Sequence, residues 1–163
     1  MAKQEAISRV WDIIEKVGVG MLTTRFSGGL RARPLEPRPD REEGAIYFVT
    51  DARAGKDDEI EAAPEVCLVM IDHKDKAYLS ITGQAAVTDD HAKAAAIWKK
   101  TDNMWWKGPD DPNVRVLRLV PEKAELWDGP SNSAIAAFEF AKARLTGEKP
   151  NLGENRKVTV EMK

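Results

Sequence analysis

Cysteine is almost missing from this chain: Cys67 is the sole one among 163 residues. An internal disulfide is therefore excluded, and the usage suits a reducing cytoplasm. Histidine occurs twice, as His73 and His91. Neither has a partner at metal-ligand spacing, so no metal site is expected. No apolar run is long enough to cross a bilayer. The opening, MAKQEAISRVWDIIEKV, is charged and amphipathic, unlike a signal peptide. A basic excess is absent too: 25 Lys and Arg against 27 Asp and Glu give a formal net charge of −2. That balance argues against a general nucleic-acid binder and leaves room for a local basic pocket. No serine or cysteine has a recognisable base partner, so nucleophilic catalysis has no support. There are no repeats, no low-complexity segments and no linker.

What is present is a soluble, globular composition, 42% hydrophobic and 32% charged, of a length suited to one domain. Ile7, Val10, Trp11, Ile14 and Val17 fall at helical spacing over residues 3–17, and Gly18 and Gly20 end that helix. VGMLTTRF, the segment 30–37 and GAIYFVTD read as three strands, with SGG turning between the first two. GKDDEIEAA reads as a short helix with acids in its first turn, where the helix dipole favours them. EVCLVMID and AYLSITGQAAVTD are further strands. In the latter, Tyr78, Ser80, Thr82 and Gln84 share one face; Leu79, Ile81, Ala85 and Val87 share the other. DDHAKAAAIWKKT predicts a helix, WWKGPDDPN a loop, and VRVLRLVPEKAELWDG a pair of strand segments bent at Pro121. SNSAIAAFEFAKARLTG predicts a helix capped by Ser131 or Ser133, with an apolar stripe of Ile135, Phe138 and Leu145 that packs on the barrel or covers part of a dimer. About six strands with inserted helices fit an α+β, mainly β architecture: an antiparallel sheet closed, or nearly closed, into a small barrel. Residues 19–50 leave no room for the crossover helices of a parallel sheet. The domain is expected to span 1–147, with 148–163 a polar, loosely held tail.

The segment GGLRARPLEPRP carries the first chemical signal. Arg31 and Arg33 lie two apart on a strand and so share a face. Such a pair is either solvated or shares an anion, since two guanidiniums can neutralise a phosphate dianion. Pro34 cannot donate to a ladder and suits a strand end, where a ligand can reach. Lys56 follows Gly55 where VTDARAGKDDEI passes from strand to helix; this is an ordinary charged connection or an anion contact, and its glycine spacing is not that of a Walker loop. Trp127 at the end of the last strand is a core residue or a cofactor wall. Cys67, in an apolar run, is expected to be buried and inert.

Taken in order, the opening helix, GMLTT, LRARPL, IYFVTDARAGKDDEI, EVCLVMID, YLSITGQAAV and GPDDPNVRVLRLVPEKAELWDGPSN resemble the general stress protein 26 type of the pyridoxamine 5′-phosphate oxidase-like split-barrel flavoproteins. The similarity covers roughly residues 5–133. It implies a six-stranded antiparallel split β-barrel with flanking helices, binding FMN between the two subunits of a homodimer. By position, Arg31, Ala32, Arg33 and Pro34 match the strand along the flavin and its phosphate. Phe48, Val49 and Thr50 match the neighbouring strand beside the ring and ribityl chain. Lys56 matches the basic residue that reaches the phosphate, and Gln84 a glutamine near the isoalloxazine. Trp127 matches an aromatic at the flavin edge, contributed by the second subunit, and Trp106 is placed beside it. True pyridoxamine phosphate oxidases hold substrate with arginine and histidine in a C-terminal segment. The corresponding stretch here, WDGPSNSAIAAFEFAKARL, has no histidine, which argues against vitamin B6 oxidation.

The resemblance thus implies a cytoplasmic FMN-dependent oxidoreductase with a nicotinamide, NAD(P)H, as a plausible donor. No side chain stands out as a catalytic acid or base. The alternatives are a flavin-binding or sensor protein without turnover, the same barrel holding a deazaflavin or haem, and a small-barrel nucleic-acid binder. The last would use Arg25, Arg31, Arg33 and Arg38 with Trp105 and Trp106, and the acidic balance disfavours it.

Overall fold

The computed structural model of the chain describes residues 2–128, 133–149 and 156–162, without the side chains of 133–137, 139 and 156. Six longer strands carry the architecture: β1 (Gly20–Phe26), β2 (Gly29–Leu35), β4 (Ala45–Asp51), β5 (Glu65–Asp72), β6 (Ala77–Thr88) and β7 (Val114–Asp128). Two short strands, β3 (Arg38–Asp40) and β8 (Arg156–Glu161), complete one antiparallel sheet ordered β2-β1-β5-β6-β7-β4-β3, with β8 added on β7. The sheet curls around a core but does not close, as expected of a split barrel. Helices α1 (Lys3–Val17), α2 (Lys56–Ala62), α3 (His91–Ile97) and α4 (Ser133–Thr146) accompany it. None of the described helices is long and apolar enough to cross a membrane.

The barrel interior follows from alternation along the strands. Leu22, Leu68, Met70, Leu79, Ile81, Leu117, Leu119 and Leu126 point inward, and α1 supplies Val10, Ile13 and Ile14 to the same cluster. β4 departs from alternation because both its faces are covered. Ile46 and Phe48 enter the barrel, while Tyr47 and Val49 pack outward with Ala94, Val114, Val116 and Trp106. This explains its unbroken run of buried residues.

The split arises on β7. Its first half, Val114–Leu119, pairs with β4, and its second half, Lys123–Asp128, pairs with β8. Pro121, which lacks an N–H, falls at the changeover, so the two predicted strand segments form one continuous strand. Opposite it the β6–β7 register shifts between Thr82 and Gly83. A Cβ at Gly83 would meet the Val120 carbonyl oxygen at 2.1 Å, closer than backbone can yield without moving. Gly83→Ala is expected to cost about 2–3 kcal/mol in urea denaturation; an unchanged midpoint would show that the bulge relaxes freely.

Three expectations need correction. The helix predicted over DDHAKAAAIWKKT stops at Ile97, and a 3₁₀ turn, Lys100–Met104, follows. Asp102 causes the break, because its carboxylate accepts from the Lys99 backbone N–H at 2.8 Å and from Arg38. The segment from 148 onward ends not as a loose tail but as β8; Lys157–Val160 alternate, and Val160 is buried in contact with the sheet. On α4, Phe138, Phe140 and Leu145 stand exposed, which corrects the packing of this stripe on the barrel and leaves its alternative, cover for part of a dimer, open. The predicted Ser131 cap, and the side chains of Ser133 and Ile135, lie outside the described residues.

Candidate functional site

β2 and β4 flank the opening. Among the described residues β2 pairs only with β1, so alternate backbone groups point away from the sheet. β3 accompanies β4 only from Ala45 to Tyr47, leaving that edge of β4 without a strand neighbour from Phe48 to Asp51. Two strands thus present unpaired N–H and C=O groups toward the slit, which suits a ligand with a polar edge.

The cationic cluster stands at one end of the slit. Arg31 and Arg33 share a face of β2, and the anion between them is internal. Arg33 Nη2 donates to both Glu59 oxygens at 2.7 and 2.8 Å, and Arg33 Nη1 donates to Thr24 Oγ1 at 3.1 Å. The Thr24 hydroxyl in turn donates to Glu59 Oε2 at 2.8 Å. Arg31 Nη1 stands 3.7 Å from Glu59, lies over the Phe26 ring, and keeps half its side chain in solvent. The expected anion pair thus separates into an engaged arginine and a largely free one.

Lys56 begins α2, just after Gly55 turns the chain at φ 75°. It is only 5% exposed. Among the described residues no hydrogen bond or ion pair reaches its ammonium group. Burial, followed by the nearby Arg33 charge, holds its pKa below the ordinary 10.5. A largely desolvated lysine without a partner is costly, and an incoming anion would relieve that cost.

The remaining candidates divide between places. Pro34, Val49 and Trp106 line one cleft of about 330 Å³, together with Leu35, Asp51 and Trp105. That volume is in the range of small-ligand sites. Trp106 is fixed by an Nε1 bond to Asp51 at 3.1 Å and by the Trp98 ring, 6.1 Å between centroids. Asp51 also holds Arg53, and hydrogen bonds, from Arg53 first, drive its pKa far below the usual carboxylate range, so it is no proton donor. Phe48 is wholly buried in the barrel, so only its backbone borders the slit. Thr50 is 2% exposed, and its hydroxyl is buried without a partner. Ala32 is exposed on β2.

Gln84 and Trp127 are elsewhere. Gln84 is exposed beside Thr82 and Cys67 in a groove of about 420 Å³ on the outer face. Cys67 is half-buried there, within 3.4 Å of Ser80 Oγ, rather than sealed in the core. Trp127 is half-buried under Lys157, whose ammonium lies 5.3 Å from the ring centroid. Glu59 and Thr24 are site residues that sequence reasoning missed. The usable signal was Glu59's place three residues after Lys56 on a helix, which puts both on one side of it.

An open antiparallel barrel, with β2 at one edge, β4 partly uncovered near the other and cations beside β2, defines the class. A family model described as "Pyridoxamine 5′-phosphate oxidase like" matches residues 5–151, and the chain belongs to that family. General stress protein 26 of Bacillus subtilis is 26% identical over 139 residues, covering 83% of this chain and 98% of that protein. A crystal structure assigned as general stress protein 26 from Jannaschia sp. CCS1 superposes with a TM-score of 0.78 at 28% identity, covering 98% of this chain and 99% of that one. The general stress FMN/FAD binding protein of Xanthomonas citri shares the fold, with a TM-score of 0.68 at 23% identity, over 80% of this chain and 92% of its own.

Proposed function

We propose that the protein binds FMN in a homodimer and acts as a flavin-dependent oxidoreductase. The observation that carries this reading is Lys56, a residue only 5% exposed whose ammonium has no hydrogen-bond or ion-pair partner among the described residues and is open to an anion. The Thr50 hydroxyl, likewise buried without a partner, is a second group awaiting a ligand. FMN's phosphate carries about two negative charges near neutral pH, and Lys56 with Arg31 supplies two positive ones.

In this reading Ala32, Arg33 and Pro34 on β2, and Phe48, Val49 and Thr50 on β4, face the ring and ribityl chain mainly through unpaired backbone groups. Trp106 walls the cleft and excludes water. When bound, FMN supplies hydride or electron exchange with a donor such as a reduced nicotinamide. Cationic and N–H donors near the ring's polar edge favour added negative charge there. Gln84 lies outside this cleft, in a groove that also holds Thr24, and Trp127 lies outside it too and reaches a flavin from a second copy. The outer face supports such pairing: Met21 lies beside Val69, Ile71 beside Tyr78, and Tyr78 beside Trp127, and the first four are exposed.

Adding FMN to flavin-free protein is expected to quench flavin fluorescence with saturation at one per chain, and dilution to monomer to release it. Oxidation of NADH or NADPH under air should exceed that of free FMN. Saturable binding with no excess oxidation would reduce the protein to a flavin binder. A haem or deazaflavin spectrum in protein as isolated, or no saturable FMN binding, would overturn the assignment.

A further inference from the structure

We infer that Glu59 determines the charge specificity of this site: it neutralises Arg33, so that a ligand meets two positive charges, Arg31 and Lys56, rather than three. The inference rests on the phosphate reading above and concerns a residue which that reading does not itself require.

The geometry is that of a closed internal pair. Both Glu59 oxygens are held by Arg33 Nη2, one of them also by the Thr24 hydroxyl, and Arg33 Nη1 is spent on the same hydroxyl. The side chains of Arg33 and Glu59 are 17% and 12% exposed, against 49% for Arg31. Burial raises the Glu59 pKa, but hydrogen bonds from Arg33 and Thr24, with the Arg33 and Arg31 charges, more than offset it and keep the carboxylate ionised. Arg33 therefore has little fork left to offer a ligand. Lys56, one turn before Glu59 on α2, has no such partner among the described residues. A neutral Arg33–Glu59 pair, with Arg31 only loosely held at 3.7 Å from Glu59 and Lys56 beside it, leaves two cations for a phosphate monoester dianion. Without Glu59 the site would be overcharged for that ligand, and Arg33 would be free to grip it.

The test measures the ratio of riboflavin Kd to FMN Kd by flavin fluorescence, because riboflavin lacks only the phosphate. In the unsubstituted protein the ratio is expected to be well above one. Glu59→Gln should raise it on the order of tenfold, by releasing the Arg33 charge in a partly buried site. Arg33→Met should lower it by a similar factor, by leaving the Glu59 charge unopposed. The Arg33→Met/Glu59→Gln double variant restores the original charge and should return the ratio to within about threefold of the starting value. Removing both partners is also far less disruptive to folding than removing one, so the double variant is informative even where a single one misfolds. A double variant as low as Arg33→Met would show that Arg33 itself holds the phosphate and would overturn the inference. So would an unchanged or reduced ratio in Glu59→Gln. A ratio near one in the unsubstituted protein would sink the phosphate reading itself, and the Glu59 role with it.

Discussion

Lys56→Met is expected to weaken FMN binding about a hundredfold while making the flavin-free protein more stable. The two effects have one cause. Lys56 is 5% exposed as a residue and meets no hydrogen-bond or ion-pair partner among the described residues, so folding takes much of its water and returns little. Methionine has a similar length and no charge, and it should raise flavin-free stability by about 1–2 kcal/mol. The same substitution removes a charge-assisted contact to the phosphate, and a hundredfold corresponds to about 2.7 kcal/mol.

The pH dependence has a definite sign. The folded pKa of Lys56 lies below the unfolded value of 10.5. Between those two values the unfolded chain holds the proton and the native protein does not, so Lys56 makes stability rise with pH across that window. Below it the destabilising contribution is constant, and Lys56→Met should abolish the rise. FMN affinity should fall over the same window as the free ammonium loses its proton. Urea denaturation with and without FMN, at neutral and alkaline pH, reads all of this. A Lys56→Met protein that is less stable and binds FMN undiminished would defeat both halves.

Asp102→Ala is expected to cost roughly 3–5 kcal/mol, the usual penalty for breaking a buried ion pair from one side. Arg38 donates to Asp102 through Nη1 at 2.9 Å and Nη2 at 2.7 Å, and to the Ile97 carbonyl at 3.0 Å. Both side chains are below a tenth exposed, and Arg38 Nε is already buried without a partner. Alanine would leave the buried guanidinium with the Ile97 carbonyl and a longer, 3.7 Å ion pair to Glu36. It would also undo the 3₁₀ turn that places Trp105 and Trp106 over the cleft, so tryptophan emission should shift to the red. The Arg38→Met/Asp102→Leu double variant should regain most of the loss, since hydrophobic replacement of a buried pair is often neutral. A single variant within about 1 kcal/mol of the starting protein would mean that water already reaches the pair.

Much of the scaffold was legible in the residues. Clean alternation marked β6, and β-branched and aromatic enrichment marked β4. Helical spacing marked α1, although Ile13, which the sequence pattern passed over, is as deeply buried as Val10. What the chain order could not give was pairing between distant segments. The Arg31 and Arg33 spacing left a solvated pair and a shared anion both open; it could not show that Arg33 binds Glu59 while Arg31 stays half in solvent, because Glu59 comes from a helix 26 residues beyond Arg33. Asp102 ended α3 for a reason that lies 64 residues earlier, in Arg38. The C-terminal segment read as polar because its alternation is short and Val160, its one buried side chain among the described residues, gains its partners only when β7 leaves β4.

That handover on β7 has a practical side. The last turns of the chain roof one flank of Trp127, through Lys157, and shield a strand border that would otherwise be bare from Lys123 to Asp128. Shortening the protein there, or hanging a bulky fusion on it, would disturb an aromatic more than thirty positions upstream. Expression designs are better extended from the amino end.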